Sequence, residues 1–283
     1  MNSVFCTFLP IFWHSSTFPR QALAMSKNFC VSQQHITSKL LFSCTFILYL
    51  TLTNTAIATY KPPENPSSPK TATGSNGSRG NGCQGDAKTS LITLAPLAYV
   101  GQTVSLQPTF TWFVPDSQSR KIEFSIYQYV NGKLEPVDTI LMQSSPGIMT
   151  FSLEKTKTSL SVGEKYLWQV ALLCNPNHPS EDLIARAEIE VVTIPPSLKN
   201  AISRTKEVVK RSDLYAENGI WYDALAESLN DSTNKTSTLK LLEELRNVEI
   251  EKVSKISEPA RQKSLQKQIL RLQKIIDVEH LLK

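Results

Sequence analysis

The sequence predicts a two-layer β-sandwich of about seven strands followed by a helical C-terminal region. Three observations carry this reading. Between Leu91 and Thr193 apolar and polar residues alternate in short runs, the period of half-buried strands. Asn131-Gly132 separates two such runs and is a strong hairpin signal. After Pro195-Pro196 the apolar spacing becomes helical.

The N-terminus reads as a targeting segment rather than fold. Residues 1–58 hold no Asp or Glu and three basic residues, Arg20, Lys27 and Lys39. Leu40 to Leu52 is a short apolar core, and Ala56-Ile57-Ala58 offers the small-x-small pattern of a cleavage site. The expected boundary is a signal peptide over 1–58, with Met25 as a sufficient start. The apolar run is shorter than the roughly 20 residues of a spanning helix, so no membrane span is expected in the mature chain. Removing three of 30 basic residues leaves 27 against 25 acidic ones, a charge of +2 in place of +5. That balance gives no electrostatic case for nucleic acid. An exported protein retaining two cysteines, Cys83 and Cys174, favours one disulfide.

Residues 59–86 are rich in Pro, Gly, Ser and Asn and read as a flexible leader. The sandwich is expected over 87–194. Phe110, Trp112 and Val114 share one strand face, as do Ile122, Phe124 and Ile126, and Met149, Phe151 and Leu153. Tyr166, Trp168, Val170, Leu172 and Cys174 form the longest alternating face, and Ala187, Ile189 and Val191 the last. Leu91–Ala95 and Val137–Met142 complete the set, a number that suits an immunoglobulin-like or fibronectin-like sandwich. "LSVGEKYLWQV" resembles the corner before a late strand of such domains, where the tyrosine hydroxyl, here Tyr166, bonds back to the backbone. Trp112 and Trp168 are expected in the core.

Residues 195–229 read as a helical hairpin. Tyr215, Gly219, Trp221, Ala224 and Leu225 resemble the inter-helix turn of a tetratricopeptide repeat, a unit that cannot bury its face alone. Residues 230–283 read as C-terminal helices. Leu265, Ile269, Leu272 and Ile276 form a short coiled-coil-like seam, with antiparallel pairing to the preceding helix as the default.

Candidate chemistry is sparse. Cys174 and His178 sit four apart, with Asp182 as a nominal third member of a nucleophilic set. Cys174 shares the inward face of Trp168 and is followed by turn residues, so a disulfide or a structural cysteine is favoured over a nucleophile. His178, Glu181 and Asp182 are weak as metal ligands, because zinc sites use tighter Cys/His spacing. No glycine-rich loop opens a helix after a strand, so no nucleotide site is expected. No cofactor is expected. Tyr127, Tyr129 and Phe113 lie on faces opposite the core positions and could stack on sugars or anchor a partner. Trp221 and Tyr222 could do the same, or could help the C-terminal helices cover that face.

Taken together, "GSRGNGC", "LITLAPLAYVGQTVSLQPTFTWFVP", "PGIMTFSL", "VGEKYLWQVALLCNPNHPSED" and "LYAENGIWYDALAESL" resemble the cyanobacterial domain-of-unknown-function 928 family (DUF928), over about Gly74 to Leu229. The resemblance implies an exported cyanobacterial protein and supplies no catalytic residue. Where the family carries Arg-Ser-x-Asp, this chain reads Pro179-Ser180-Glu181-Asp182. The expectation is a non-catalytic module, periplasmic or extracellular, that binds a protein of the cell envelope. A carbohydrate-binding domain for wall or exopolysaccharide is the alternative, and a thiol enzyme or hydrolase the third.

Overall fold

The computed structural model describes residues 59–76, 90–115, 118–175, 177–231 and 235–281. The chain forms nine strands and then five α-helices among them. The strands are β1 (Gly74–Asn76), β2 (Ile92–Thr93), β3 (Gly101–Thr103), β4 (Thr109–Val114), β5 (Lys121–Val130), β6 (Lys133–Gln143), β7 (Gly147–Ser152), β8 (Lys165–Leu172) and β9 (Leu183–Val191). The helices are α1 (Pro196–Arg204), α2 (Val208–Glu217), α3 (Trp221–Leu229), α4 (Thr236–Ser254) and α5 (Pro259–Leu281).

Two sheets result. The larger runs β1-β9-β8-β5-β6, with β3 also pairing β9, and the smaller runs β2-β4-β7. The alternating runs therefore become strands, while β1 and β3 are additional. Neither has a period-2 pattern, and both are recruited by one edge of β9. β1 pairs Ile184 to Arg186 antiparallel, and β3 pairs Ile189 to Val191 in parallel. The β5–β6 hairpin turns at Asn131 and Gly132, whose φ angles of 50° and 78° suit a primed turn.

The sheets meet through aromatic rings. Phe110 of β4 lies 4.9 Å from Phe124 of β5 and 5.0 Å from Trp168 of β8, centroid to centroid. Phe151 of β7 lies 5.0 Å from Phe124. Trp112 and Trp168 are both fully buried. Tyr166 accepts the Ser161 N–H at 3.0 Å, the bond a tyrosine corner requires.

The helical hairpin α2–α3 docks on the open side of this core. The Trp221 indole donates to the Leu94 carbonyl at 3.0 Å. Tyr222 reaches Trp168, whose indole donates to its hydroxyl at 2.8 Å, and the Tyr222 hydroxyl donates to the Glu188 carbonyl at 3.1 Å. The approach is close enough that a Cβ on Gly101 would lie 2.9 Å from the Tyr222 ring. α4 and α5 pair antiparallel: Lys235 meets Glu279 at 3.3 Å and His280 meets Glu243 at 3.0 Å, so the start of one lies beside the end of the other. None of these helices is long and apolar enough to cross a membrane.

The expectation of a flexible leader is corrected for its first part. Residues 60–73 run across the molecule and continue into β1. Tyr60 is 2 % exposed, packs edge-on against Trp221 at 5.0 Å and accepts the Tyr99 hydroxyl at 2.9 Å. The Lys61 N–H donates to the Ala216 carbonyl, and Gly219, at φ 77°, leaves room where a Cβ would lie 3.1 Å from the Pro63 nitrogen. Composition misleads here because the segment needs only one large apolar anchor when its backbone is held by other elements. Residues 77–89, and with them Cys83, lie outside the described residues, as does the whole of 1–58.

Tyr60→Ala is expected to lower unfolding stability by about 3–5 kcal/mol, the range for truncating a buried aromatic ring. Thermal unfolding measures this. Limited proteolysis should show faster cleavage within 61–73 in the variant, and unchanged melting with unchanged cleavage would refute the docked leader.

Candidate functional site

The loop after β8 does not assemble a catalytic set. Asp182 accepts the backbone N–H of Cys174 at 2.8 Å and so closes the loop rather than orienting an imidazole. His178 is exposed at the start of a short 3-10 turn, Pro179–Glu181, and its backbone N–H donates to Asn175. Cys174 is half-buried beyond the end of β8, one correction to the expected strand length. Among the described residues, no group of three His, Cys, Asp or Glu side chains is placed to hold a metal ion.

The aromatic candidates separate into buried anchors and two half-buried rings. Trp221 and Tyr222 are buried and hydrogen-bonded inside the fold, which corrects their expected role as a partner surface. Phe113 is 5 % exposed, opposite Ile92 of β2 in the small sheet. Tyr129 is half-buried under the N-terminal segment; its hydroxyl donates to Glu188 at 2.7 Å and Lys70 lies 4.6 Å over its ring. Tyr127 is half-buried, opposite Pro136 of β6. These rings therefore do not form the exposed row that sugar stacking through them requires.

Buried carboxylates are the feature that the sequence reading passed over. Each takes up backbone N–H groups that have no strand partner. One Glu188 oxygen receives the Lys70 and Thr71 N–H groups at 2.8 and 2.9 Å, besides the hydroxyls of Thr71 and Tyr129. Glu249 of α4 receives Leu97 and Ala98, the shortest contact being 3.0 Å. Glu244 receives Tyr60 at 2.8 Å. Asp223 of α3 takes the Val104 N–H at 3.1 Å and the Thr103 hydroxyl at 2.7 Å. Burial pushes the Glu249 carboxyl up to about 7 and that of Asp223 up to about 6, with the N–H bonds pulling the other way.

Asp223 stands at the wall of a polar cleft of about 360 Å³. The cleft lies between the loop 103–108, the adjoining ends of β4 and β7, and the hairpin α2–α3. Thr103, Ser105, Thr109, Thr150, Ser152 and Tyr215 bring hydroxyls to it, with Glu227 and Lys155 at its sides. Arg211 neutralises Glu227 through a two-pronged pair at 2.9 and 2.7 Å. Sequence reading could not find this site, since its lining comes from four separate segments whose polar residues look like ordinary loop and strand-end chemistry.

These observations define a β-rich two-sheet domain, wrapped by its own N-terminal segment and closed by helices, with a polar cleft at their junction. The chain belongs to the family described as Domain of Unknown Function (DUF928), whose model matches residues 74–257. No curated protein matches it. Among solved structures it is similar to Astrotactin-2, a vertebrate-specific, perforin-like membrane protein, at 6 % identity and a TM-score of 0.23. That match covers 62 % of this chain and 35 % of the other, and at this score it carries no argument about fold or function.

A folded value near 7 against an ordinary 4.5 means that Glu249 binds its proton more tightly in the native state. Its contribution is present in full below pH 4.5 and is lost as pH rises through about 7, an effect of about 3 kcal/mol at 1.36 kcal/mol per pH unit. Asp223 acts in the same direction over a lower window. The melting temperature should therefore gain from these groups between pH 8 and pH 5, and Glu249→Gln should reduce that gain. An identical pH dependence in wild type and variant would refute the assignment.

Proposed function

We propose that the chain is an exported, non-catalytic module that binds a protein of the cell envelope through the free edge of its larger sheet. The observation that supports this is β6. It pairs only with β5 among the described residues, runs for eleven residues, and leaves Leu134, Val137 and Leu141 exposed. An open strand edge offers unpaired backbone groups to an extended segment of another chain, with flanking apolar side chains for specificity. A register shift between Ile126 and Tyr127, together with Pro136, interrupts this edge near its middle, so Lys133 to Glu135 and Thr139 to Gln143 are its two pairing stretches.

The fold type belongs to the same proposal. Sheets ordered β2-β4-β7 and β6-β5-β8-β9 parallel the A-B-E and C-F-G sets of immunoglobulin-like sandwiches. Export rests on the signal-like composition of 1–58. A Cys83–Cys174 disulfide would tether the segment before β2 to the end of β8, stabilising the fold by roughly 4–5 kcal/mol in the loop-entropy account. Alkylation of purified protein before and after reduction tests the bond.

Lys133 gives the edge a native amine for chemical cross-linking in envelope extract. Mass spectrometry should find Lys133 joined to one protein, and the link should vanish in a Leu134→Asp/Leu141→Asp variant whose melting is little changed, as exposed substitutions usually are. No link from Lys133, or one that persists in the variant, would defeat the reading.

A further inference from the structure

We infer that the polar cleft between the sandwich and the α2–α3 hairpin is a binding site for a neutral polyhydroxylated molecule of hexose size. Its volume, about 360 Å³, falls at the small end of the range for ligand sites. Its chemistry is amphiprotic. The hydroxyls of Thr109, Thr150 and Tyr215 line it and make no hydrogen bond among the described residues. Ser105 and Ser152 each accept one backbone N–H, from Gln107 and Glu154, and so keep an O–H to donate. A lining that can both give and take hydrogen bonds at several points suits a ligand whose own groups do the same, and hydroxyls are such groups. The charges do not select an ion. Glu227 is spent on Arg211, Asp223 is committed to Thr103 and Val104, and the exposed Lys155 cation is offset by the exposed carboxylate of its neighbour Glu154. Tyr215 is half-buried and adds an apolar ring edge for a sugar's C–H face.

The site also explains a placement that packing alone leaves open. α3 needs its buried face, Trp221, Tyr222, Ala224 and Leu225, to dock on the sandwich. It does not need a set of hydroxyls without protein partners across a gap from it. This inference is independent of the β6 proposal, because cleft and edge share no residue, so either can fail alone.

The test is a titration of the full mature chain with glucose, galactose and mannose, followed by saturation-transfer NMR of the sugar signals, with glucosamine and glucuronate as charged controls. Saturable binding of at least one neutral hexose is expected. Tyr215→Phe, which keeps the ring and removes the hydroxyl, should weaken it about fivefold, in line with one lost hydrogen bond. Thr150→Val should weaken it similarly at a solvent-exposed position where folding is not at stake. Absence of saturable binding by all three neutral sugars would overturn the inference. So would binding only by a charged control, or binding unchanged in both variants.

Discussion

The fold turns on one residue of β9. The Glu188 backbone carbonyl faces the gap that β1 and β3 leave along the β9 edge, and the Tyr222 hydroxyl fills it. The same hydroxyl accepts the Trp168 indole N–H, so the helical hairpin, β8 and β9 are locked by a single oxygen inside a fully buried site. The Glu188 side chain points to the other face, where it collects the N-terminal segment at Lys70 and Thr71. Losing the partner of such a buried group costs more than making the bond gains, which is why the arrangement tolerates little slack.

The other buried carboxylates extend this logic. Segments 60–73 and 94–104 have little regular structure of their own, yet their backbone N–H groups are not left to water. Glu244 and Glu249 from α4 and Asp223 from α3 reach in to meet them. The helical region is therefore the source of acceptors for the irregular parts of the sandwich, and not an appendage to it. Gln268 and Arg271 of α5 add donors to the Ser75 carbonyl of β1. The family match, which runs to residue 257, takes in the helix that supplies two of these acceptors.

What was legible in the sequence was whatever repeats. Alternation marks β4, β5, β7, β8 and β9, and two consecutive positive-φ residues mark the β5–β6 turn. Glu188 was legible only as a polar residue alternating with Ala187 and Ile189, which reads as a solvent face; its burial depends on a segment over a hundred residues earlier in the chain. Tyr60 is the one aromatic residue in the Pro- and Ser-rich stretch that precedes β1, and that solitude was the available signal of an anchor. The cleft had no signal of this kind. Hydroxyl side chains at strand ends serve turns far more often than ligands, and only the approach of α3 turns them toward one space.

The docked N-terminal segment has a consequence for how the chain reaches its native state. Tyr60 is held by a residue 184 positions later and Ser75 by one 193 positions later. Contacts of such sequence separation form slowly, since the entropy of closing the loop is lost before the contact repays it. The first residues of the folded unit therefore wait for the last helices to be made. A ribosome that delivers this chain from its N-terminus delivers a leading segment that cannot dock fully until almost all of the chain has arrived.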